Sequence, residues 1–303
     1  MMHLFRQFTT LAETCNYRKA SELLNISQPA LTKNIKKIEN EFGCQLFERS
    51  NRGCSLTSSG RIFLKYINRF NSDMKLLRNE LEKDMATKKT ITMAFGNMWL
   101  VLYASKIILK IEEELNDNII ITARRGSSWN VIHDILSGDC DIFLGNILNN
   151  SDPRLVFKPL MQTHHCIFAK RDHPLFNIRD SKITLDDFAK YKWLILGSSD
   201  SLKGNIIPNM LKQIISNNEI CGMDSLFVIL EILQNSDALI LMPWQVGQQL
   251  IKYDIVQVDN HSIQFPEYTT GIIFREEMLD KSGFSEIINI ISNFFISPDS
   301  IKF

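Results

Sequence analysis

Apolar residues recur at helical spacing from the start of the chain. Leu4, Phe8, Leu11 and Ala12 share one face and predict a first amphipathic helix. RKASELL, residues 18–24, predicts a short second helix with Ala20, Leu23 and Leu24 facing inward. NIS then makes a tight connection. Ser27 suits the cap of a third helix, because its hydroxyl can accept from a free first-turn N–H. Pro29 falls in that first turn, where the missing N–H costs nothing and the fixed φ suits a helix. Leu31, Ile35, Ile38 and Phe42 bury one face of it, and Gln28, Thr32, Lys33 and Lys36 fall on another. After Gly43 the helical period stops. QLFER, the turn SNRG and CSLT predict a β-hairpin, with Asn51 and Gly53 supplying the turn conformations. Thr57 caps the next helix.

That helix runs from Ser58 to about residue 86 without Gly or Pro after Gly60. Phe63, Ile67, Phe70, Met74, Leu77 and Leu81 form a heptad seam along it, the pattern of a helix with a partner helix. The alternative is a helix packed on its own domain. MATKK, Met85 to Lys89, reads as a hinge. From Thr90 short apolar strands alternate with amphipathic helices: TITMAF, then MWLVLYASKIILKIEEEL, NIIITAR, SWNVIHDILSG and DCDIFLGN. This β-α-β-α-β order predicts a largely parallel sheet. KWLILG, ALILMP and TTGIIF predict further strands. Helices are predicted from about Ser201, over MDSLFVILEILQ, after Pro243 and over SGFSEIINIISNFFI. Two α/β lobes with crossovers near Gln162 and Pro266 fit the order. The expected organisation is a winged helix-turn-helix over 1–58, a linker helix and hinge over 59–89, and a two-lobed α/β domain over 90–303. Lobe I takes 90–162 and 267–303, and lobe II takes 163–266.

Charge sharpens this division. The chain carries 34 basic and 34 acidic residues, but residues 1–90 hold 16 Lys/Arg against 9 Asp/Glu, and the remainder 18 against 25. A basic module that faces nucleic acid is therefore joined to an acidic one. In helix-turn-helix binding the N-terminal residues of the second helix reach base edges in the major groove. Ser27, Gln28, Pro29, Thr32 and Lys33 stand at that reading end. Gln can pair with adenine, and Thr and Pro can contact thymine methyl groups. Lys36 suits phosphate, and Arg49 and Arg52 carry cations off the hairpin, as a wing does. Hydrophobic content of 45% and charged content of 22% fit a soluble globular protein. The first residues lack a signal peptide's apolar core. No uncharged apolar run reaches about 18 residues; the best candidate, Met98 to Ile111, is broken by Lys106. A cytoplasmic protein is expected, at the nucleoid when bound to DNA. The six cysteines show no CxxC spacing and read as reduced thiols, with no metal or cofactor expected. THHC, Thr163 to Cys166, is the one His/Cys cluster, and adjacent side chains on a strand point to opposite faces.

The stretch ASELLNISQPALTKNIKKIENEFGCQLFERSNRGCSLTSSG resembles the DNA-binding region of the LysR-type transcriptional regulators. The matching features are S-Q-P-A-L-T at Ser27 to Thr32, I-x-x-I-E at Ile35 to Glu39, G-x-x-L-F-x-R at Gly43 to Arg49 and L-T-x-x-G at Leu56 to Gly60. Ser21 and Ser59 stand where alanine is usual, and Asn16 where serine is common. DCDIFLG, Asp139 to Gly145, and HPL, His173 to Leu175, are also family-like. The resemblance implies a winged helix-turn-helix, a dimerising linker helix, often a tetramer, and an effector domain whose lobes are similar to periplasmic binding proteins.

In such sheets ligands bind beyond the carboxyl ends of strands. That places Asn97, Met98 and Trp99, Gly126, Ser127 and Ser128, and Asn146 as candidates in lobe I. In lobe II the loop Gly197, Ser198, Ser199 and Asp200 precedes a helix, where free N–H groups suit an anion. Trp99 or Phe265 could stack on an aromatic ring, and family position adds Met223 to Ser225 and Trp244. The ordinary use of Ser and Asn at such places is helix capping. The leading reading is a regulator that binds promoter DNA as a homodimer or homotetramer and responds to a small-molecule effector, anionic or aromatic. RNA polymerase is a candidate further partner. The competing reading is an enzyme, and no nucleophile elbow, P-loop or H-E-x-x-H occurs to favour it. A regulator without an effector is the third reading.

Overall fold

The computed structural model describes residues 1–50, 53–84, 89–115, 119–127, 130–146, 152–178, 183–197, 207–223, 225–259 and 263–296. Contacts divide the chain into two units, Met1–Arg78 and Asn79–Phe303, so the boundary falls inside a helix.

The first unit holds α1 (Met2–Thr14), α2 (Tyr17–Leu23), α3 (Gln28–Phe42), the antiparallel hairpin β1 (Phe47–Ser50) and β2 (Gly53–Leu56), and most of α4 (Ser58–Asp84). Leu4, Phe8 and Leu11 of α1 meet Ala20, Leu31, Ile35 and Ile38 in one core, which Leu46 and Phe47 close from the hairpin side. Phe63 of α4 enters the same core, with its ring centroid 4.8 Å from that of Phe8. Phe63 and Ile67 are 9% and 5% exposed. These two predicted seam residues are therefore core residues of their own unit, not partner-facing ones. Phe70, Leu77 and Leu81 remain exposed on α4, and Met74 is half-buried. Two inward expectations also change. Leu23, the last residue of α2, points outward, because α2 is only 7 residues long and presents a narrow buried face. Phe42 ends α3 with half its surface in solvent while its ring edge meets Phe63 at 4.9 Å.

The second unit contains two five-stranded sheets. The sheet of lobe I joins β3 (Lys89–Phe95), β4 (Ile119–Arg125), β5 (Ile142–Asn146), β6 (Leu155–Thr163) and β12 (Tyr268–Arg275), in the order β4-β3-β5-β12-β6. β3 runs parallel to β4 and β5, and β12 runs antiparallel to β5 and β6. The sheet of lobe II joins β7 (His165–Lys170), β8 (Trp193–Leu196), β9 (Glu219–Met223), β10 (Leu239–Pro243) and β11 (Ile255–Gln257), in the order β11-β7-β10-β8-β9. The chain passes between lobes at His164 and again ahead of Tyr268. The helices are α5 (Asn97–Leu102), α6 (Ala104–Leu115), α7 (Val131–Leu136), α8 (Leu185–Phe188), α9 (Asn209–Asn218), α10 (Leu226–Gln234), α11 (Trp244–Leu250) and α12 (Phe284–Ile296).

The single helix expected over 98–115 is two, broken at Tyr103, where φ is −125. Tyr103 turns its ring onto Trp99 and Phe295, with centroids 5.4 and 5.0 Å away, and burying it there ends α5. The predicted helix start near Ser201 lies outside the described residues, and α9 begins at Asn209. The edge strands β9 and β11 were not expected; both are short, and β9 holds Glu219 and Gly222 in place of an apolar run. One hydrophobic cluster runs through both lobes, from Phe95, Trp99 and Ile107 to Phe168, Leu194 and Ile240. Among the described residues no helix is long and apolar enough to cross a membrane.

Candidate DNA interface and effector cleft

The helix-turn-helix is assembled by local caps. The Asn16 side chain accepts from the Lys19 N–H at 3.1 Å and starts α2. Asn25 takes a left-handed φ of +53 in the turn, a conformation that asparagine tolerates better than most residues. Ser27 Oγ accepts from the Ala30 N–H at 3.3 Å, and Pro29 occupies the first turn of α3. Leu31, Ile35 and Ile38 face the core. Asn34 Nδ2 donates to Gln7 Oε1 at 2.9 Å, which fixes the rotation of α3 on α1. That rotation leaves Gln28, Pro29, Thr32, Lys33, Lys36, Lys37 and Asn40 lining one open groove of about 860 Å³. Lys33, Lys36 and Lys37 are exposed, and none has an ion-pair partner among the described residues.

The hairpin is held by contacts that spacing alone did not reveal. Glu39 Oε1, on α3, accepts from the Leu46 and Phe47 N–H groups at 2.9 and 3.3 Å. Thr57 Oγ1 accepts from the Gly60 N–H at 2.9 Å and donates to the Gln45 carbonyl at 2.7 Å, so the cap of α4 also anchors the hairpin. A Cβ on Gly60 would collide with the Leu46 carbonyl, so only glycine fits this approach. Arg49 lies in β1, in register with Cys54. Asn51 and Arg52 lie outside the described residues.

Between the lobes, the strand ends converge as the sheet order requires. Asn97 Nδ2, at the start of α5, donates across to the Leu196 carbonyl at the end of β8, at 2.6 Å. Asn146 ends β5 with its Oδ1 buried and without a hydrogen-bond partner among the described residues. Ser127 follows β4, and its carbonyl accepts from the Asn130 and Val131 N–H groups ahead of α7. Ser128, Ser198 and Ser199 lie outside the described residues. Two candidates for the cleft are corrected. Trp99 is 1% exposed and donates to Thr270 Oγ1, so its ring belongs to the core and is closed to an effector. Met98 is buried beside it. Phe265 is half-buried and packs against the lobe II core, with part of its surface open. Trp99 and Met98 follow the end of β3 directly, and apolar bulk so close to a sheet goes under it.

The THHC stretch falls at the first crossover. Thr163 Oγ1 donates to Gln245 Oε1 at 2.5 Å. The His164 ring lies nearly parallel to Trp244, and the His165 ring stacks on Tyr268 with centroids 5.4 Å apart. Burial, with the His164 charge next, pushes the His165 imidazole down to about 4. Its Nδ1 is buried and unpartnered among the described residues.

Residues 2–61 match the profile of the bacterial regulatory helix-turn-helix protein, lysR family, and residues 114–294 match the LysR substrate binding domain. An uncharacterized helix-turn-helix regulator, YbhD of Escherichia coli K12, is 30% identical over 64% of this chain and 60% of its own length. The SDS degradation transcriptional activation protein of a Pseudomonas species is 27% identical over 82% of this chain and 80% of its own. Among solved structures, full-length CbnR complexed with its target DNA superimposes with a TM-score of 0.53 at 15% identity, covering 95% of this chain and 99% of that one.

Proposed function

Given that the chain belongs to the LysR family of DNA-binding transcriptional regulators with an effector-binding domain, we propose that it acts as a homodimer or homotetramer that couples promoter binding through α3 to a ligand held between the two lobes. It is a regulator and not an enzyme. The observation that carries the DNA reading is the groove on α3. Gln28, Pro29 and Thr32 lie at its N-terminal end beside three lysines that no carboxylate among the described residues neutralises. Gln28 and Thr32 supply base contacts and Lys33 and Lys36 supply phosphate contacts. CbnR, of similar fold, is a DNA-bound member of this architecture. Two copies reading two half-sites about one helical turn apart would give the specificity that one helix lacks. Mapping the bound sites genome-wide with the full chain tests this reading; a scatter of sites without a shared half-site sequence would refute it.

In the cleft, the buried Asn146 Oδ1, unpartnered among the described residues, calls for a hydrogen-bond donor. We infer an effector that presents a hydroxyl or amino group there. It would also compete for the Leu196 carbonyl that Asn97 now occupies. Such an effector shifts the lobes only by its difference in affinity for their open and closed arrangements. Thermal melting in the presence of candidate metabolites tests it, because a ligand of the folded state raises the midpoint by mass action. A ligand whose effect survives Asn146→Ala would rule out the inferred contact.

A further inference from the structure

At the base of lobe I, a cavity of about 360 Å³ is bordered by the last turns of α4 and by the sheet. This lies in the size range of small-molecule sites. Ile91 lines it near the start of β3 and Ile119 at the start of β4. These two strands run parallel, and the candidate cleft residues Asn97 and Ser127 follow their opposite ends, so the two places are distinct. Phe284 and Ile287, in the first turns of α12, add to the apolar wall.

Three charged groups reach this apolar space: Glu80 of α4, Asp141 ahead of β5 and Lys281 ahead of α12. Asp141 is fully buried and already engaged. It accepts from the Thr92 N–H at 2.9 Å and has Arg275 Nη2 3.8 Å away. Glu80 and Lys281 are partly exposed, and they pair with each other. Arg275 holds the Glu80 Oε1 at 3.3 Å, so Oε2, which Lys281 occupies, is the oxygen open to exchange. A partly exposed ion pair is weak and is readily replaced by an equivalent one. A ligand with a single charge gains one of these two groups and meets the other as a like charge. A ligand that carries both charges satisfies both, and the apolar wall is left for its side chain.

We propose that this cavity binds an apolar α-amino acid as its zwitterion. The ammonium takes the place of Lys281 at Glu80 Oε2, and the released Lys281 pairs with the carboxylate. The side chain lies against Ile91, Ile119, Phe284 and Ile287. The site lies outside the cleft and does not depend on an effector there. Glu80 belongs to the last turns of α4 and Lys281 to lobe I, so an occupant has different affinities for different dockings of those turns and biases them.

Calorimetric titration of the full chain, without DNA, tests this with three probes. Norleucine is the zwitterion; hexanoate and pentylamine keep its alkyl body and lack the ammonium or the carboxylate. In wild type, norleucine makes one ion pair more than it breaks, whereas either other probe makes as many as it breaks. Norleucine is therefore expected to bind about fivefold more tightly than both. Lys281→Met removes the competitor for Glu80 and should bring pentylamine up to norleucine while hexanoate stays weak. Glu80→Gln should bring hexanoate up instead. Both variants change partly exposed side chains, and a gain of binding is not produced by misfolding. No binding of norleucine up to its solubility would overturn the site. So would the wild-type order of the three probes persisting in both variants, since the ligand would then sit elsewhere. Hexanoate or pentylamine matching norleucine on the wild type would show a site for one charge and overturn the amino-acid assignment.

Discussion

Arg275, 1% exposed at the end of β12, sets its Nη2 3.3 Å from the Glu80 carboxylate near the end of α4. The same guanidinium donates through Nη1 to the Ile135 and Cys140 carbonyls at 2.5 and 3.4 Å, and through Nε to Glu277 at 2.8 Å. Lys281 also reaches Glu80, and Asn79 Nδ2 donates to the Ser137 carbonyl at 2.9 Å. The last turns of α4 are therefore bound to lobe I by residues between 58 and 201 positions away in the chain. Arg275→Met leaves two carbonyls and the buried Asp141 without this donor and charge, and should destabilise the second unit by about 3 kcal/mol. Glu80→Gln removes a carboxylate that is 32% exposed and should cost under about 1 kcal/mol. Urea unfolding of both variants gives the comparison; equal losses would show that Arg275 serves only Glu80.

Replacing Gln28 or Thr32 by alanine should relax base preference by about 1–3 kcal/mol at the contacted position while leaving general affinity for DNA. Lys36→Ala should weaken all sequences alike and lower the slope of log affinity against log salt by about one. Binding isotherms over a salt series separate the two classes. An unchanged slope would remove Lys36 from the phosphate contacts.

The exposed part of the α4 seam, with Phe70 37%, Leu77 50% and Leu81 57% exposed, is the expected helix partner surface. Phe70→Asp with Leu77→Asp should convert the assembly to smaller species in sedimentation velocity while the far-ultraviolet dichroism holds. Phe63→Ala should act differently. It opens a cavity in the first unit's core and should destabilise that unit by about 3 kcal/mol. Dimers that survive the double aspartate variant would place the interface elsewhere.

His165 links stability to pH. Its imidazole falls from the ordinary 6.5 to about 4 in the folded protein, because the buried ring resists charge. Between those values the unfolded chain binds a proton that the folded one does not. Stability is therefore complete above about pH 6.5 and declines as pH falls toward 4, levelling below it. His173, also lowered by burial, adds to the same slope. Urea midpoints from pH 7 to pH 4 should fall less steeply for His165→Phe than for wild type, and parallel curves would deny His165 this role.

Much of the candidate interface was legible from local rules. Ser27, Pro29 and the 4-3 spacing of Leu31, Ile35 and Ile38 act within one segment, so they specify where α3 begins and which side is buried. The alternation of strands and helices beyond Thr90 likewise announced two α/β lobes. The short edge strands β9 and β11 escaped because each carries too few apolar residues for a period. Glu39 was visible only as a motif letter, and its hold on the Leu46 and Phe47 N–H groups appears once α3 and the hairpin are in place.

The sequence by itself determined the helix-turn-helix, the exposed basic face of α3 and the α/β order of the second unit, since capping and hydrophobic period are properties of neighbouring residues. Only the tertiary structure decided that Phe63 and Ile67 go inward while Leu77 and Leu81 stay out, that Trp99 belongs to a core, and that Arg275 meets Glu80. Those outcomes depend on which distant surface covers a residue. A heptad or a strand end shows that a side chain needs cover and leaves open which part of the chain supplies it.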